Sequence, residues 1–424
     1  MKLLKALKRF LKGCGPGFIT GASDDDPSGI ATYSQTGAQF GFSQLWLTIL
    51  TLPFMIAIQE MCGRIGLVTG QGLSGVIKKH YGRPLLYGAV AILLLANTIN
   101  IGADLGAMAS ALGLVIPLPF VVLLILITVV TLALEIFVSY HVYVKYLKYL
   151  ALSLCAYIVT VFVVKLDWRV VATSTLIPHF VWSREYLFNI VALLGTTISP
   201  YLFFWQADEE VEEEIDHKKI TAFGEGIPHI TKRDITNMKN DTVVGMFFSN
   251  IITFFIIVTA ASTLGANGIT SINTATEAAE ALRPLAGNFA FILFTIGIIG
   301  TGLLTVPVLS GSASYAIAEA MGWKSGLYRK LSEAHGFYGI ITLATLVGLL
   351  VNFVGIPPFK MLYYTAVLNG VVAPPLMILI LCLANNKKVM GRHTNSALSN
   401  TFGIIITVVM SLAGLALVGS YFIK

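Results

Sequence analysis

The stretch "ASDDDPSGIATY", residues 22–33, sets Asp24, Asp25 and Asp26 directly before a proline and a glycine inside an otherwise apolar segment. At a bilayer centre each carboxylate costs about 2.5–3.5 kcal/mol on an insertion scale. A chain keeps that cost only where a partner or a ligand offsets it. The stretch therefore reads as a site as much as a helix break.

The rest of the chain supplies the apolar setting. Hydrophobic residues make up 56% of the 424 and charged residues 12%, against roughly 25% charged in a soluble domain. This excludes a soluble globular protein and leaves an all-α polytopic membrane protein. The net charge of +6 carries no nucleic-acid signal, because in such chains the informative quantity is which loops hold Lys and Arg. Cys14, Cys62, Cys155 and Cys382 are widely spaced, with no Cys-x-x-Cys pair, and read as small apolar residues. The basic start "MKLLKALKRFLKGCG" lacks a small-residue cleavage site and reads as a surface helix.

A span of about 20 apolar residues fits the bilayer. That ruler gives about eleven spans, near 14–38, 43–67, 84–112, 117–139, 143–166, 186–206, 240–263, 289–321, 336–354, 358–384 and 399–422. With the N-terminus in the cytoplasm, alternation puts 22 of the 28 Lys and Arg on the cytoplasmic side, Lys145 and Lys148 among them. That asymmetry fits an inner or plasma membrane protein with its N-terminus inside and its C-terminus outside. The polar piece opening "ADEEVEEEIDHKK" at Ala207 reads as a solvated cytoplasmic loop with a frayed helix that could attract cations. "TEAAEALRPLAG", from Thr276, reads as a short interfacial helix on the outer side.

Spans 1 and 6 are both interrupted, the first at Asp26-Pro27-Ser28-Gly29 and the second within "GTTISPYLFF" at Pro200. Unwound backbone at membrane depth is tolerated only where it is buried in protein or lines a cavity. Two breaks five spans apart are what an inverted five-plus-five repeat of a secondary transporter requires. The expected organisation is one transmembrane domain over 1–424, with a first repeat at 14–166, a second at 186–384 and an extra helix at 399–422. The groups at the breaks are carboxylates, hydroxyls (Ser23, Ser28, Thr196, Thr197, Ser199, Tyr201) and free carbonyls. They are hard oxygen ligands, suited to Mg²⁺, Ca²⁺ or Mn²⁺.

These motifs, with "GPGFITGASDDDPSGIATYSQTGAQFGFSQLW" and "GRIGLVTGQGLSGVIKKHYG" around them, resemble the Nramp family of divalent-metal transporters. The resemblance implies a LeuT-like fold. It puts the family's metal-binding aspartate on Asp26, a carbonyl ligand on Ser23 and a second on Thr196. The family's asparagine ligand is replaced by Gly29, its methionine by Ser199, and two histidines by Tyr201 and Gln206. In span 3 the proton-pathway aspartate is kept as Asp104, while its glutamate partner is Ala107. This pattern is similar to the divergent Nramp-related magnesium transporters, which implies weak or absent proton coupling. Loss of the thioether removes discrimination against hard ions, and Gly29 and Ser199 are expected to widen the site for an ion that keeps waters.

The metal site is thus expected at Asp26, Ser23, Gly29, Thr196 and Ser199, with Asp24, Asp25, Ser28, Tyr201, Gln206, Asp104 and Asn369 around it or along the pathway. Asp24 and Asp25 are expected to point to an aqueous vestibule or to contact the groups behind Asp26. Glu60, Glu135, Glu319, Asn97 and Asn100 are further polar residues within spans; His141 and His335 lie at span ends. No cofactor is expected; the partners are the transported divalent cation (Mg²⁺ or Mn²⁺) and the lipid bilayer, with no nucleic acid. A LeuT-like carrier of an organic solute such as an amino acid is the alternative, disfavoured because the aspartates would repel a substrate carboxylate. An intramembrane aspartyl protease would need two carboxylates sharing a proton, and it does not require paired broken helices.

Overall fold

The computed structural model describes residues 15–138, 142, 152–226 and 228–420. His141, Lys145, Lys148, the first part of span 5 and the basic start up to residue 14 lie outside the described residues. The described chain is helical; its extended pairing is one isolated bridge, Ala222 to Glu225.

Span 1 is two helices, α1 (Pro16–Asp24) and α2 (Pro27–Phe40). Span 2 is α3 (Trp46–Thr69), followed by the short α4 (Leu73–His80). Spans 3 and 4 are α5 (Arg83–Leu112) and α6 (Phe120–Phe137). The described part of span 5 ends in α7 (Cys155–Val163), and α8 (Trp168–Leu176) follows it. Span 6 is again two helices, α9 (Arg184–Thr197) and α10 (Pro200–Asp216). Spans 7 to 11 are α11 (Lys232–Thr263), α12 (Ala290–Met321), α13 (His335–Val351), α14 (Pro358–Asn385) and α15 (Ala397–Gly419). The outer segment after Thr274 forms short turns, Ala275–Ala279 and Arg283–Ala286 among them, started by a capping box between Thr274 and Glu277.

Eight described helical segments are long and apolar enough to cross a bilayer. The other three expected spans are span 1, divided by its break, span 5, described only in part, and span 9, a shorter apolar helix at His335–Val351. Burial sorts the spans. Span 6 is 89% buried over its most apolar stretch, and spans 4 and 11 only 33%. The broken spans are therefore central. Spans 4 and 11 turn Val121, Ile125, Val129, Ile404, Val408 and Leu412 outward, as lipid contact requires.

Small residues set how closely the central helices pack. Gly21 on α1 lies against the Gly245 backbone on α11, with no space for a Cβ. Gly66 on α3 meets the Ala207 carbonyl on α10 just as tightly. Span 1 thus packs on span 7 as span 6 packs on span 2, the exchange an inverted repeat produces. Close backbone approach through small residues is the usual way helices associate in lipid, where no hydrophobic gain is available.

The structure corrects one reading. The acidic run from Asp208 is not a solvated loop but the continuation of α10, and Asp208, Glu209, Glu210, Glu212 and Glu214 are all buried. The helix does not fray because spans 2 and 8 cover it along its length.

Candidate metal site

The two breaks have the same construction. Each helix ends on a residue with positive ψ, Asp25 (φ −85°, ψ 52°) or Ile198 (φ −128°, ψ 66°). An extended residue follows, Asp26 (φ −70°, ψ 173°) or Ser199 (φ −83°, ψ 132°), and then a proline opens the next helix. Pro27 and Pro200 do not kink continuous helices. They start new ones, at the position where a missing N–H costs nothing. The two residues between the half-helices leave backbone groups without helical partners.

Asp26 is the N-cap of α2. Its Oδ1 accepts from the Gly29 N–H at 2.5 Å and the Ser28 hydroxyl at 2.7 Å, while Oδ2 is buried with no partner. One oxygen thus starts the helix and the other is unpartnered. Asp24 and Asp25 are fully buried and both accept from Ser249 on α11, at 2.8 and 3.4 Å. They therefore contact span 7 and do not point to a vestibule, and each keeps one oxygen unpartnered.

Gly29 joins the breaks. A Cβ there would lie 3.3 Å from both the Asp24 carbonyl and the Thr196 hydroxyl, and 3.2 Å from the Tyr33 ring. The glycine leaves no void in this conformation: the Tyr33 ring and the Asp24 carbonyl of span 1 and the Thr196 hydroxyl of span 6 close around it, so the expected widening is not seen at Gly29. Thr196 Oγ1 is buried and unpartnered. The Ser199 hydroxyl donates back to the Gly195 and Thr196 carbonyls, both at 2.9 Å. It therefore occupies the Thr196 carbonyl, one of the expected ligands.

The Ser23 carbonyl accepts from two hydroxyls, Tyr201 of α10 at 3.1 Å and Thr305 of α12 at 3.2 Å. Asp104 on α5 is buried with both oxygens unpartnered, within electrostatic reach of Asp26 and Tyr201. Asn369 has an unpartnered amide nitrogen, and Gly370 beside it packs on the α9 backbone next to Gly195. Gln206 is further along α10 and donates to Glu210 at 2.9 Å. The sequence reading missed Ser249 and Thr305; the one available signal was hydroxyls within apolar spans, which is too common to select them.

Most of the other intramembrane polar residues singled out in the sequence have partners, whereas both polar atoms of the Asn100 side chain are buried without one. Glu60 pairs with Arg64 at 3.0 Å, Glu135 accepts from Ser310 at 3.2 Å, and Asn97 donates to the Leu309 carbonyl at 2.9 Å. Glu319 accepts the Gly72 and Gly75 N–H groups at 2.7 and 2.9 Å, at the N-terminus of α4, where the helix dipole favours a carboxylate.

Among the described residues no three of His, Cys, Asp or Glu converge as a metal-ligand group. A cation at the breaks would be held by the Asp26 carboxylate with neutral oxygens. That donor set fits a hard ion.

Comparison with known proteins gives the family and the fold. The divalent metal cation transporter MntH of Clostridium acetobutylicum is 26% identical over 425 residues, covering 97% of this chain and 91% of that protein. MntH of Caldanaerobacter subterraneus is 25% identical over 418 residues, covering 97% and 94%. A crystal structure of the Eremococcus coleocola manganese transporter superposes with a TM-score of 0.76 at 15% identity, covering 99% of this chain and 89% of that one. Mhp1, a nucleobase-cation-symport-1 family transporter, gives a TM-score of 0.61 at 12% identity, covering 96% and 93%. These structural likenesses establish the LeuT-like fold. The family described as natural resistance-associated macrophage protein-like (Nramp) matches residues 17–420, and with nearly the whole chain matched this protein belongs to the Nramp family.

Proposed function

We propose that the protein carries divalent metal cations across a bilayer by alternating access, with its substrate site where the breaks of spans 1 and 6 meet. The observation that carries this reading is the free Asp26 Oδ2, buried with no partner in the first break, while Thr196 Oγ1 of the second, which reaches Gly29, is also buried and unpartnered. A buried carboxylate oxygen at a helix N-terminus is stable there if a cation visits it. The relatives named as divalent metal cation transporters support the substrate class.

The preferred ions are hard, Mg²⁺ and/or Mn²⁺. Every side chain we assign to the metal at the breaks offers oxygen, and with Asp26 as the one carboxylate in direct contact, an ion keeping several waters fits better than one needing a full protein shell. Proton coupling is weak or absent, because Ala107 stands one turn from Asp104 where a titratable partner would be needed. The bias of Lys and Arg supports a cytoplasmic N-terminus and an outer C-terminus. An organic-solute carrier has no comparable support: Asp24, Asp25 and Asp26 together disfavour an anionic substrate.

The test is uptake into proteoliposomes with Mg²⁺, Mn²⁺, Ca²⁺ and Zn²⁺ in competition and internal pH recorded. Mg²⁺ or Mn²⁺ flux without acidification, lost in Asp26→Ala, is the expected result. No flux, with Asp26→Ala indistinguishable from wild type, overturns the reading. Metal-driven acidification overturns its uncoupled part.

A further inference from the structure

A cavity of about 640 Å³ opens at the end of the bundle where span 1 begins, apart from the breaks. Glu210, Glu213, Glu214, Asp234 and Asp241 line it, opposed by Lys219 and His217. The carboxylates are not equally committed. Asp234 is paired with Lys219 at 3.0 Å. Asp241 accepts the Gly15 and Phe18 N–H groups at 2.9 and 3.2 Å, which ties it to the start of α1. Glu210 accepts one hydrogen bond from Gln206.

Glu214 is different. Only 1% of it is exposed, it lines the cavity, and neither carboxylate oxygen has a partner. Lys219 is within electrostatic reach of it but is already held by Asp234. Glu210, Glu213 and Glu214 follow the i, i+3, i+4 spacing and so share one face of α10. The low-dielectric walls around them sharpen their field on whatever enters.

We propose that this cavity is a second cation site, taking a hydrated divalent cation on Glu210, Glu213 and Glu214. The carboxylates do not converge on one point, so the ion is bound through its waters. At about 30 Å³ per water the cavity has room for the ion and its shell. Mg²⁺ in particular gives up its waters reluctantly. The site lies at the end of the bundle where span 1 begins, on the side proposed as cytoplasmic. It does not depend on Asp26.

Mn²⁺ binding to the full-length protein in detergent, followed by electron paramagnetic resonance with Mg²⁺ as competitor, tests the proposal. Wild type is expected to show two components, both displaced by Mg²⁺. Asp26→Asn should keep one of them, and Glu213→Gln/Glu214→Gln should lose that same one. Val244→Lys places an ammonium on the cavity wall without removing a carboxylate, and should also lose it. If the double glutamine variant and Val244→Lys both bind Mn²⁺ as wild type does, or if Asp26→Asn abolishes all binding, the proposal is overturned. Neither result bears on transport through the breaks, which the uptake assay judges separately.

Discussion

The Tyr201 hydroxyl donates to the Ser23 carbonyl at 3.1 Å, across 178 residues of sequence, and ties the second half of span 6 to the last turn before the span 1 break. Thr305 donates to the same oxygen. Tyr201→Phe or Thr305→Val alone leaves the carbonyl one donor and should cost about 0.5–1.5 kcal/mol. Together they orphan a buried carbonyl, so the double variant should lose more than the sum. Thermal unfolding of the four proteins in one detergent measures this. Strict additivity would show that the shared acceptor is unimportant.

Asp26 performs two tasks with two oxygens, and substitution can separate them. Asn keeps a side-chain oxygen for the Gly29 N–H and is a good N-cap, whereas Ala loses the cap at about 1 kcal/mol. Asp26→Asn should therefore unfold close to wild type yet fail to take up Mg²⁺ or Mn²⁺. Asp26→Ala should lose both stability and uptake. Uptake by Asp26→Asn at the wild-type rate would remove the carboxylate from the site.

Gly29 is a point of contact between the broken spans. A methyl there would press on the Asp24 carbonyl, the Thr196 hydroxyl and the Tyr33 ring, at 3.2–3.3 Å. Overpacking of this kind costs about 1–3 kcal/mol, and Gly29→Ala should lower the unfolding temperature accordingly. Paired with Thr196→Ala, which removes one of the contacts, part of the loss should return. A Gly29→Ala variant as stable as wild type would mean that the breaks do not close on each other in solution.

Arg64 is buried between Glu60 at 3.0 Å and the loop before span 11, where it donates to the His393 carbonyl at 2.7 Å and to Asn395. Arg64→Leu leaves the Glu60 carboxylate uncompensated and should cost about 3–5 kcal/mol. Adding Glu60→Leu should recover much of it. Detergent unfolding reads both; no recovery in the double variant would place the cost in the His393 and Asn395 contacts instead.

Much of the fold was legible in the sequence because a bilayer imposes one ruler on every helix. The expected ends of α5, α12 and α14 fall within two residues of the observed ones. Both breaks were legible because proline and acids at membrane depth have few bland explanations. The acidic half of α10 was not. Polarity was equated with water there, and only packing by spans 2 and 8 reveals that a run of carboxylates is covered by protein. The contacts of the site were also hidden: nothing local to Asp24 indicates Ser249, and nothing local to Ser23 indicates Tyr201. Nor does anything local to Glu319 indicate the two backbone N–H groups that α4 supplies to it.

The clasp of Asp241 on Gly15 and Phe18 has a mechanical consequence. With Gly17 and Gly21 also seated against the α11 backbone, α1 is fastened to span 7 along most of its length. Its backbone leaves the helix at Asp25–Asp26. If α1 tilts, span 7 must travel with it as the longer arm of a single rocker. Ser249, midway along that arm, is the contact through which such a tilt would bear on Asp24 and Asp25, next to Asp26.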